Sequence, residues 1–376
     1  SGFSKIFVIG QYLTYTLQQH LFKTYFYHGV LQDHIHLLVP EGRQGNQIWY
    51  RGTADAIRQN LLYLKDLDLD YFLILSGDQL YNMDFHVIVE SMISSQADMI
   101  LVAQPVSEKD ARRMGLLRIN IEGKVIDFYE KPQDEELLNR FRLTPDVRKQ
   151  HNLLESEGEF LGSMGIYMFR KESLFRLLAE EEGEDFGKHL IHAQMQKGRV
   201  QAFLYDGYWT DIGTIESYYH ANIALAQKPH SSVKGFNCYD ARGMIYSKNH
   251  HLPGAVVVES MISNSLLCEG SVIESSRVSH SVVGIRGMIG SNSILDHTIV
   301  MGNEGYDSMH GGALGIGKDC EIYKTIIDEN CSIGNGVKLS NLKGYSHYDS
   351  PDGKLFVRDG ITIIPRGTKL PDNYVF

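Results

Sequence analysis

Residues 271–300 read SVIESSRVSHSVVGIRGMIGSNSILDHTIV, and their spacing decides the second half of the fold. In and around this stretch an aliphatic residue recurs every five or six positions, at Ile262, Leu267, Val272, Val278, Val283, Ile289, Ile294 and Ile299. A second series follows at Ile316, Ile322, Ile327, Ile333 and Leu339, and Ile-Gly recurs at Ile289-Gly290, Ile316-Gly317 and Ile333-Gly334. Three short faces per turn, each sending one apolar side chain to a common axis, describe a triangular parallel β-helix. An ordinary β-sandwich would alternate with period two instead. Residues 302–314 interrupt the series and read as a loop leaving the helix.

Upstream the pattern changes. Lys228-Pro229-His230-Ser231-Ser232 marks a boundary, giving domains 1–228 and 229–376. Before it, short apolar runs alternate with amphipathic stretches. Lys5–Ile9, His34–Val39, Phe72–Leu75, Asp98–Ala103 and Gly165–Phe169 read as strands. Tyr12–Phe26, Thr53–Leu67, His86–Ser95 and Leu174–Glu181 read as helices. Leu116–Ile119 and Val125–Tyr129, split by Glu122-Gly123, read as a hairpin. This alternation predicts an α/β sandwich with a mostly parallel sheet.

At 376 residues the chain exceeds the ~100–150 typical of one domain. Its 43% hydrophobic and 22% charged residues supply a normal core and exclude a disordered chain. With 36 basic against 46 acidic residues the net charge is −10, the wrong sign for a general nucleic-acid binder. An anionic ligand must therefore be held by a few local cations and backbone amides. No apolar run approaches the ~18–20 residues of a membrane span. Cys238, Cys268, Cys320 and Cys331 form no C-x-x-C pair and read as free thiols of a reducing, cytoplasmic compartment.

Four segments carry candidate chemistry. Asp78 follows an apolar strand, at the edge where α/β folds bind ligands. In Tyr129-Glu130-Lys131-Pro132 the proline ends the strand and is expected to hold Lys131 extended, presenting a point charge to a phosphate. In Tyr208–Thr214, Asp211 lies at a strand-to-helix junction that Thr214 can cap. Asp78 and Asp211 together offer the two hard oxygen ligands that a phosphate-bound magnesium takes from protein. Gly52 and Thr53 stand at a helix start, where free amides favour a base edge or phosphate; the alternative is a plain cap by Thr53 with Asp55. His34 and His36 share a strand face, and His250 and His251 are adjacent. Neither pair has further zinc ligands nearby in sequence.

In this order, the motifs resemble the glucose-1-phosphate adenylyltransferase family, also called ADP-glucose pyrophosphorylases. WYRGTADAI at Trp49–Ile57 is similar to the family's nucleotide-proximal segment, and SGDQLYNMDF at Ser76–Phe85 to its catalytic-aspartate segment. Gly115 ahead of Glu130-Lys131-Pro132, SMGIYMF at Ser163–Phe169, DFGKHLI at Asp185–Ile191 and YWTDIGTIESYYHAN at Tyr208–Asn222 follow. VRDGITIIPRGTKLPDN at Val357–Asn373 resembles the family's C-terminus. The resemblance covers almost the whole chain. It implies a Rossmann-like nucleotidyltransferase sandwich followed by a left-handed parallel β-helix. It also implies synthesis of ADP-glucose and pyrophosphate from ATP and α-D-glucose 1-phosphate with Mg²⁺, the first committed step of glycogen or starch synthesis. In that scheme Asp78 and Asp211 hold the metal and Lys131 binds the sugar phosphate. Glu130 and Ser163 hold sugar hydroxyls, Tyr50 and the Gly52–Thr53–Ala54 backbone sit by the nucleotide, and Gly115 lets the chain pass close to the ligand. The β-helix is expected to mediate a homotetramer and to help form a site for a small-molecule allosteric effector.

Two departures stand out. The family places a glycine-rich phosphate loop ahead of the strand seen here as Lys5–Ile9, so on the order of 50–70 further residues are expected upstream of Ser1. Thr210 stands where many members carry arginine or glutamate, which leaves Asp211 in place. A non-catalytic regulatory homologue is the main alternative, and the presence of Asp78, Lys131 and Asp211 argues against it. An acyltransferase with a β-helix histidine base is a second. His280 and His297 lie in the coils, where exterior or corner positions explain them more simply.

Overall fold

The computed structural model describes residues 5–26, 34–41, 49–153, 158–226, 250–307 and 313–376, with Phe236, Cys238 and Ile245. The boundary expected at 228–232 and residues 308–312 of the expected loop lie outside these. The described residues form two compact units. The first runs to Gly77 and continues from Met83 to Gly207; the second takes Asp78–Asn82 and the described chain from Tyr208 onward. Asp78 and the Tyr208–Asn222 motif thus belong to the same unit as the β-helix.

The first unit is built on a sheet. Its strands are β1 (Ile6–Ile9), β2 (Ile35–Leu38), β3 (Tyr71–Leu75), then, after β4 (Gln79–Tyr81) of the second unit, β5 (Met99–Val106), β6 (Gly115–Ile119), β7 (Val125–Glu130), β8 (Phe160–Arg170) and β9 (Val200–Leu204). The main sheet runs β7-β6-β8-β5-β9, with β3 also paired to β8. Met99 to Ala103 are fully buried, as a strand covered on both faces requires. β5 and β9 pair in parallel, whereas the long β8 runs against β3, β5 and β6. The α/β alternation is as expected, and β8 makes the sheet a mixed one. β1 and β2 pair in parallel as a separate ladder. The hairpin expected at Glu122-Gly123 is β6–β7. Between Leu101–Tyr167 and Ala103–Ser163 the register of β8 slips, a bulge that re-aims both Ser163 and Tyr167.

Helices cover this sheet with the faces their spacing predicts. In Lys171–Glu180, Leu174, Leu177 and Leu178 are buried against Leu101, Phe169 and Phe186 of one core. Asp84 caps Phe85–Ser95 by accepting the His86 N–H at 3.0 Å. The helix expected over Thr53–Leu67 is broken at Asn60 into Thr53–Gln59 and Leu61–Leu64. The buried Asn60 amide donates to the Ala56 carbonyl (2.8 Å) and to the Tyr50 hydroxyl (2.9 Å), competing with the helical pattern. No helix among the described residues is long and apolar enough to cross a membrane.

In the second unit, short strands stack in parallel on three faces. One face runs from Val256–Val258 to Lys369–Leu370, the next from Met261–Ser263 to Lys338–Leu339, the third from Leu266–Leu267 to Ile361–Ile364. The antiparallel strands His347–Asp349 and Phe356–Arg358 extend the third face. Val278, Val283, Ile289, Ile316, Ile322, Ile327, Ile333 and Leu339 fill the axis as expected. Three positions of the periodic series are displaced by one residue. Ile273, Leu295 and Val300 point inward in place of Val272, Ile294 and Ile299, because neighbouring side chains of a strand face opposite ways and each coil has its own corner length. Ile299 is buried outside the axis, under the helix Ile215–Leu225, together with Tyr219, Val282, Ile326 and Ile361.

Corners are fastened by buried side chains. The Ser276 amide donates to Ser260 Oγ (3.0 Å), Ser293 to Ser276 Oγ (3.0 Å) and Cys320 to Ser293 Oγ (3.1 Å). Ser265, Ser281 and Thr298 repeat this at another corner. Backbone groups that the turns leave unpaired are satisfied in this way. All four cysteines are free thiols, and Cys320 takes a serine's place in the first ladder.

Candidate active site

The candidate side chains fall into two groups, one in each unit. In the second unit, β4 (Gln79–Tyr81) pairs antiparallel with β10 (Trp209–Asp211). Trp209 Nε1 donates to Gln79 Oε1 at 3.3 Å, and the Ile212 amide donates to the Asp78 carbonyl at 2.9 Å. This pairing places Asp78 beside Asp211. Asp211 Oδ1 accepts the Gly213 N–H at 2.6 Å, a side chain-to-backbone turn that fixes the carboxylate. The next residue is the cap expected there. Thr214 Oγ1 accepts the Ser217 N–H at 3.1 Å, and Ser217 Oγ accepts the Thr214 N–H at 3.2 Å.

Gly213 shows how closely the two acids converge. A methyl group there would lie 2.9 Å from Asp211 Oδ1 and 3.3 Å from Asp78 Oδ2. Both carboxylates are exposed, and neither enters an ion pair among the described residues. Two exposed carboxylates thus adjoin one residue without a side chain, which concentrates negative charge at this point.

The second group surrounds Glu130, at the end of β7. Its Oε2 would lie 2.7 Å from a methyl on Gly115 and 2.6 Å from one on Gly187, so the two glycines make room for the carboxylate. Gly115 also faces Phe128; its bareness serves this internal packing. Burial pushes the Glu130 carboxyl up, opposed by Lys131 and Lys188 and reinforced by Asp185. Lys131 Nζ stands 3.9 Å from Glu130 Oε1.

The extended backbone expected at Lys131 is corrected by the structure. Its φ is +51°, in the left-handed region, and its N–H donates to the Met114 carbonyl at 3.0 Å. That bond at the end of the β6–β7 ladder outweighs the restriction the following proline imposes. Such a conformation costs ~1–3 kcal/mol in a residue with a side chain and is concentrated at functional sites.

Ser163 is buried on β8 and bonded to the Tyr167 hydroxyl. Burial raises the Tyr167 phenol, and Glu130 and Asp185 add to the effect. Asp185 ties this group to the Gly52–Thr53 segment. Its Oδ1 accepts the Lys188 N–H (3.2 Å), its Oδ2 accepts the Thr53 hydroxyl (3.3 Å), and Thr53 Oγ1 accepts the Phe186 N–H (3.3 Å).

At this helix start the Ala54 and Asp55 amides are not free, since both donate to one carbonyl, that of Glu184, at 3.0 and 3.1 Å. Gly52 is the cap residue and no side chain caps it, while Asp55 accepts the Arg51 N–H at 3.0 Å. Tyr50 is engaged at both ends, its amide with Gln11 Oε1 (2.5 Å) and its hydroxyl with Asn60.

Residues 1–228 match the model of the nucleotidyl transferase family, and residues 250–375 match that of the GLGC left-handed parallel β-helix domain. The chain belongs to the nucleotidyl transferase family. Its two domains are the pair typical of glucose-1-phosphate adenylyltransferases, and its β-helix is of the left-handed kind. Membership in the nucleotidyl transferase family implies a nucleotide and a sugar phosphate as substrates.

Within this nucleotidyl transferase, sequence reasoning brought Asp78 together with Asp211, and Lys131 with Glu130. It missed Tyr167, Asp185, Gly187 and Gly213. The first three lie inside SMGIYMF and DFGKHLI, so the motif signal was present. What each touches depends on the bulge in β8 and on the approach of Thr53, which no local pattern encodes.

Proposed function

We propose that the protein transfers the adenylyl group of ATP to α-D-glucose 1-phosphate, forming ADP-glucose and pyrophosphate. The observation that carries this reading is the convergence of Asp78 and Asp211 on Gly213, in a chain with this pair of domains. In the reaction a phosphate oxygen of the sugar attacks the α-phosphorus of ATP in line. The bond from that phosphorus to the bridging oxygen breaks, and pyrophosphate leaves. Little covalent work falls to the protein, so positioning and charge dominate.

Asp78 and Asp211 would hold Mg²⁺, for which paired exposed carboxylates are a fitting donor set. When bound, the ion would offset the charge of the phosphates. Lys131 supplies a point charge for the sugar phosphate. Glu130, whose carboxyl is raised by burial against the opposing pull of Lys131 and Lys188, offers its oxygens to sugar hydroxyls. The Ser163 hydroxyl offers a donor or acceptor beside it. Tyr50, Gly52, Thr53 and Ala54 are assigned to the nucleotide side by resemblance. Of these, the Ala54 amide is taken by the Glu184 carbonyl. Assembly as a homotetramer through the β-helix and control by a small-molecule effector belong to the same proposal.

The test is product analysis with the full-length protein, Mg²⁺, glucose 1-phosphate and each nucleoside triphosphate in turn. ADP-glucose and pyrophosphate in equal amounts are expected, with ATP preferred. A folded protein that forms no sugar nucleotide with any triphosphate would support the non-catalytic homologue instead.

A further inference from the structure

On the outside of the β-helix, side chains from two successive coils meet at the corner after the second face. His280 follows the strand Arg277–Ser279, and one coil later Asp296 ends the strand Ile294–Asp296 and His297 follows it. Both histidines have left-handed backbones, with φ of +47° and +50°, as the corner turn requires. Their rings stack at a centroid distance of 4.6 Å and an interplanar angle of 22°. His280 Nδ1 lies 3.1 Å from Asp296 Oδ1, and His297 Nδ1 lies 3.0 Å from Asp296 Oδ2. Among the described residues, these three form the group of His, Cys, Asp or Glu whose donor atoms all lie within 4.8 Å of one another.

Asp296 Oδ1 accepts a bond from Ser279 Oγ at 2.8 Å and approaches His280. His297 Nδ1 is closed to water and faces Asp296 Oδ2 at 3.0 Å, so two imidazoles converge on one carboxylate. A metal ion between the rings and the carboxylate would use all three donors at once. Donor atoms ~3 Å apart match neighbouring ligands placed ~2.0–2.2 Å from one ion.

We propose that His280, Asp296 and His297 bind one divalent first-row transition-metal ion, with zinc as the reference ion. Two imidazoles and one carboxylate favour such an ion over magnesium, which prefers oxygen throughout. All three side chains are partly exposed, which leaves positions for water. Outer partners are in place: Ser279 orients Asp296, and the Asn264 amide lies 3.3 Å from His280 Nε2. The Asn264 carboxamide can turn its oxygen to the Nε2–H when Nδ1 is the ligand. The site shares no residue with the Asp78–Asp211 pair and does not depend on the proposed reaction.

The test uses the full-length protein, stripped with chelator and titrated calorimetrically with zinc chloride in excess magnesium. One zinc ion per chain is expected, and cobalt(II) in its place should show the visible absorption of nitrogen-ligated metal. His280→Ala and His297→Ala should each weaken zinc binding by at least about a hundredfold, since outer partners alone are worth about 10–100-fold. Ser279→Ala should weaken it by about tenfold. Thermal unfolding of the metal-free variants, matched to the parent protein, checks that they are folded. Absence of zinc binding by the parent protein overturns the proposal, and so does zinc binding unchanged in either folded histidine variant.

Discussion

The β-helix and the sheet unit bury their cores in different ways. In the β-helix each coil repeats its neighbour's solution, so an axial residue such as Leu295 meets only the coils on either side. In the sheet unit each element is used once, and Leu101 on β5 lies in one core with Phe169, Leu177, Phe186 and Val200, far away in sequence. The comparison teaches that repetition makes a structure readable and locally stable. Single-use contacts let side chains from distant segments be brought to one place, as at Glu130.

The largest effect should come from the acids. Asp78→Asn or Asp211→Asn in the full-length protein should lower turnover about a thousandfold, about 4 kcal/mol of barrier, and leave thermal unfolding intact. Turnover within tenfold of the parent enzyme would remove the pair from the reaction.

Next come the cores. Leu295→Ala and Leu101→Ala should each cost about 3 kcal/mol. Amide exchange should separate them. Leu295→Ala should loosen the coils that contain Val278 and Ile322 and spare the first unit, whereas Leu101→Ala should expose the whole sheet together. Equal spreading in both would erase the distinction drawn between the units.

A smaller effect is expected at Lys131. Lys131→Ala and Lys131→Gly should both raise KM for glucose 1-phosphate. The glycine variant should be the more stable by about 1 kcal/mol, because it relieves the left-handed backbone. If alanine is as stable as glycine in chemical denaturation, the strain assigned here is absent.

The smallest concerns Glu130. Its carboxyl is raised above the unfolded value, chiefly by burial. The folded protein therefore holds that proton more tightly, and the stability this contributes is lost as pH rises through the raised value. Glu130→Gln should be more stable than the parent protein above that pH. It should show no such gain below the ordinary glutamate range, and it should bind the sugar phosphate more weakly. A stability difference independent of pH would contradict this.

The two units were legible to different degrees for the same reason. Both β-helix series could be read from spacing, and the errors at Val272, Ile294 and Ile299 were slips of one residue where corner length varies. The strands of the sheet and most of its helices were also readable, since β5 and Lys171–Glu180 carry their burial in their own pattern. The break at Asn60 was not, because it depends on the Tyr50 hydroxyl. Nor was the conformation of Lys131, which the Met114 carbonyl decides, or the loss of the Ala54 amide to Glu184. Asp78 and Asp211 could be proposed as partners from residue type; the glycine that lets them meet was visible in sequence but carried no label.

Gly302 and Gly315 bound the interruption in the β-helix, with φ of +98° and +106°. A side chain on Gly302 would strike the Ile285 carbonyl, and one on Gly315 would strike that of Met288. The coil stays in register across the gap, since Val283 pairs with Val300 before it and Ile289 with Ile316 after it. These two glycines therefore mark a splice point, where chain can be inserted or exchanged while the number of coils stays the same. A foreign peptide grafted between them would be displayed from the flank of the solenoid, its ends already held at a fixed spacing.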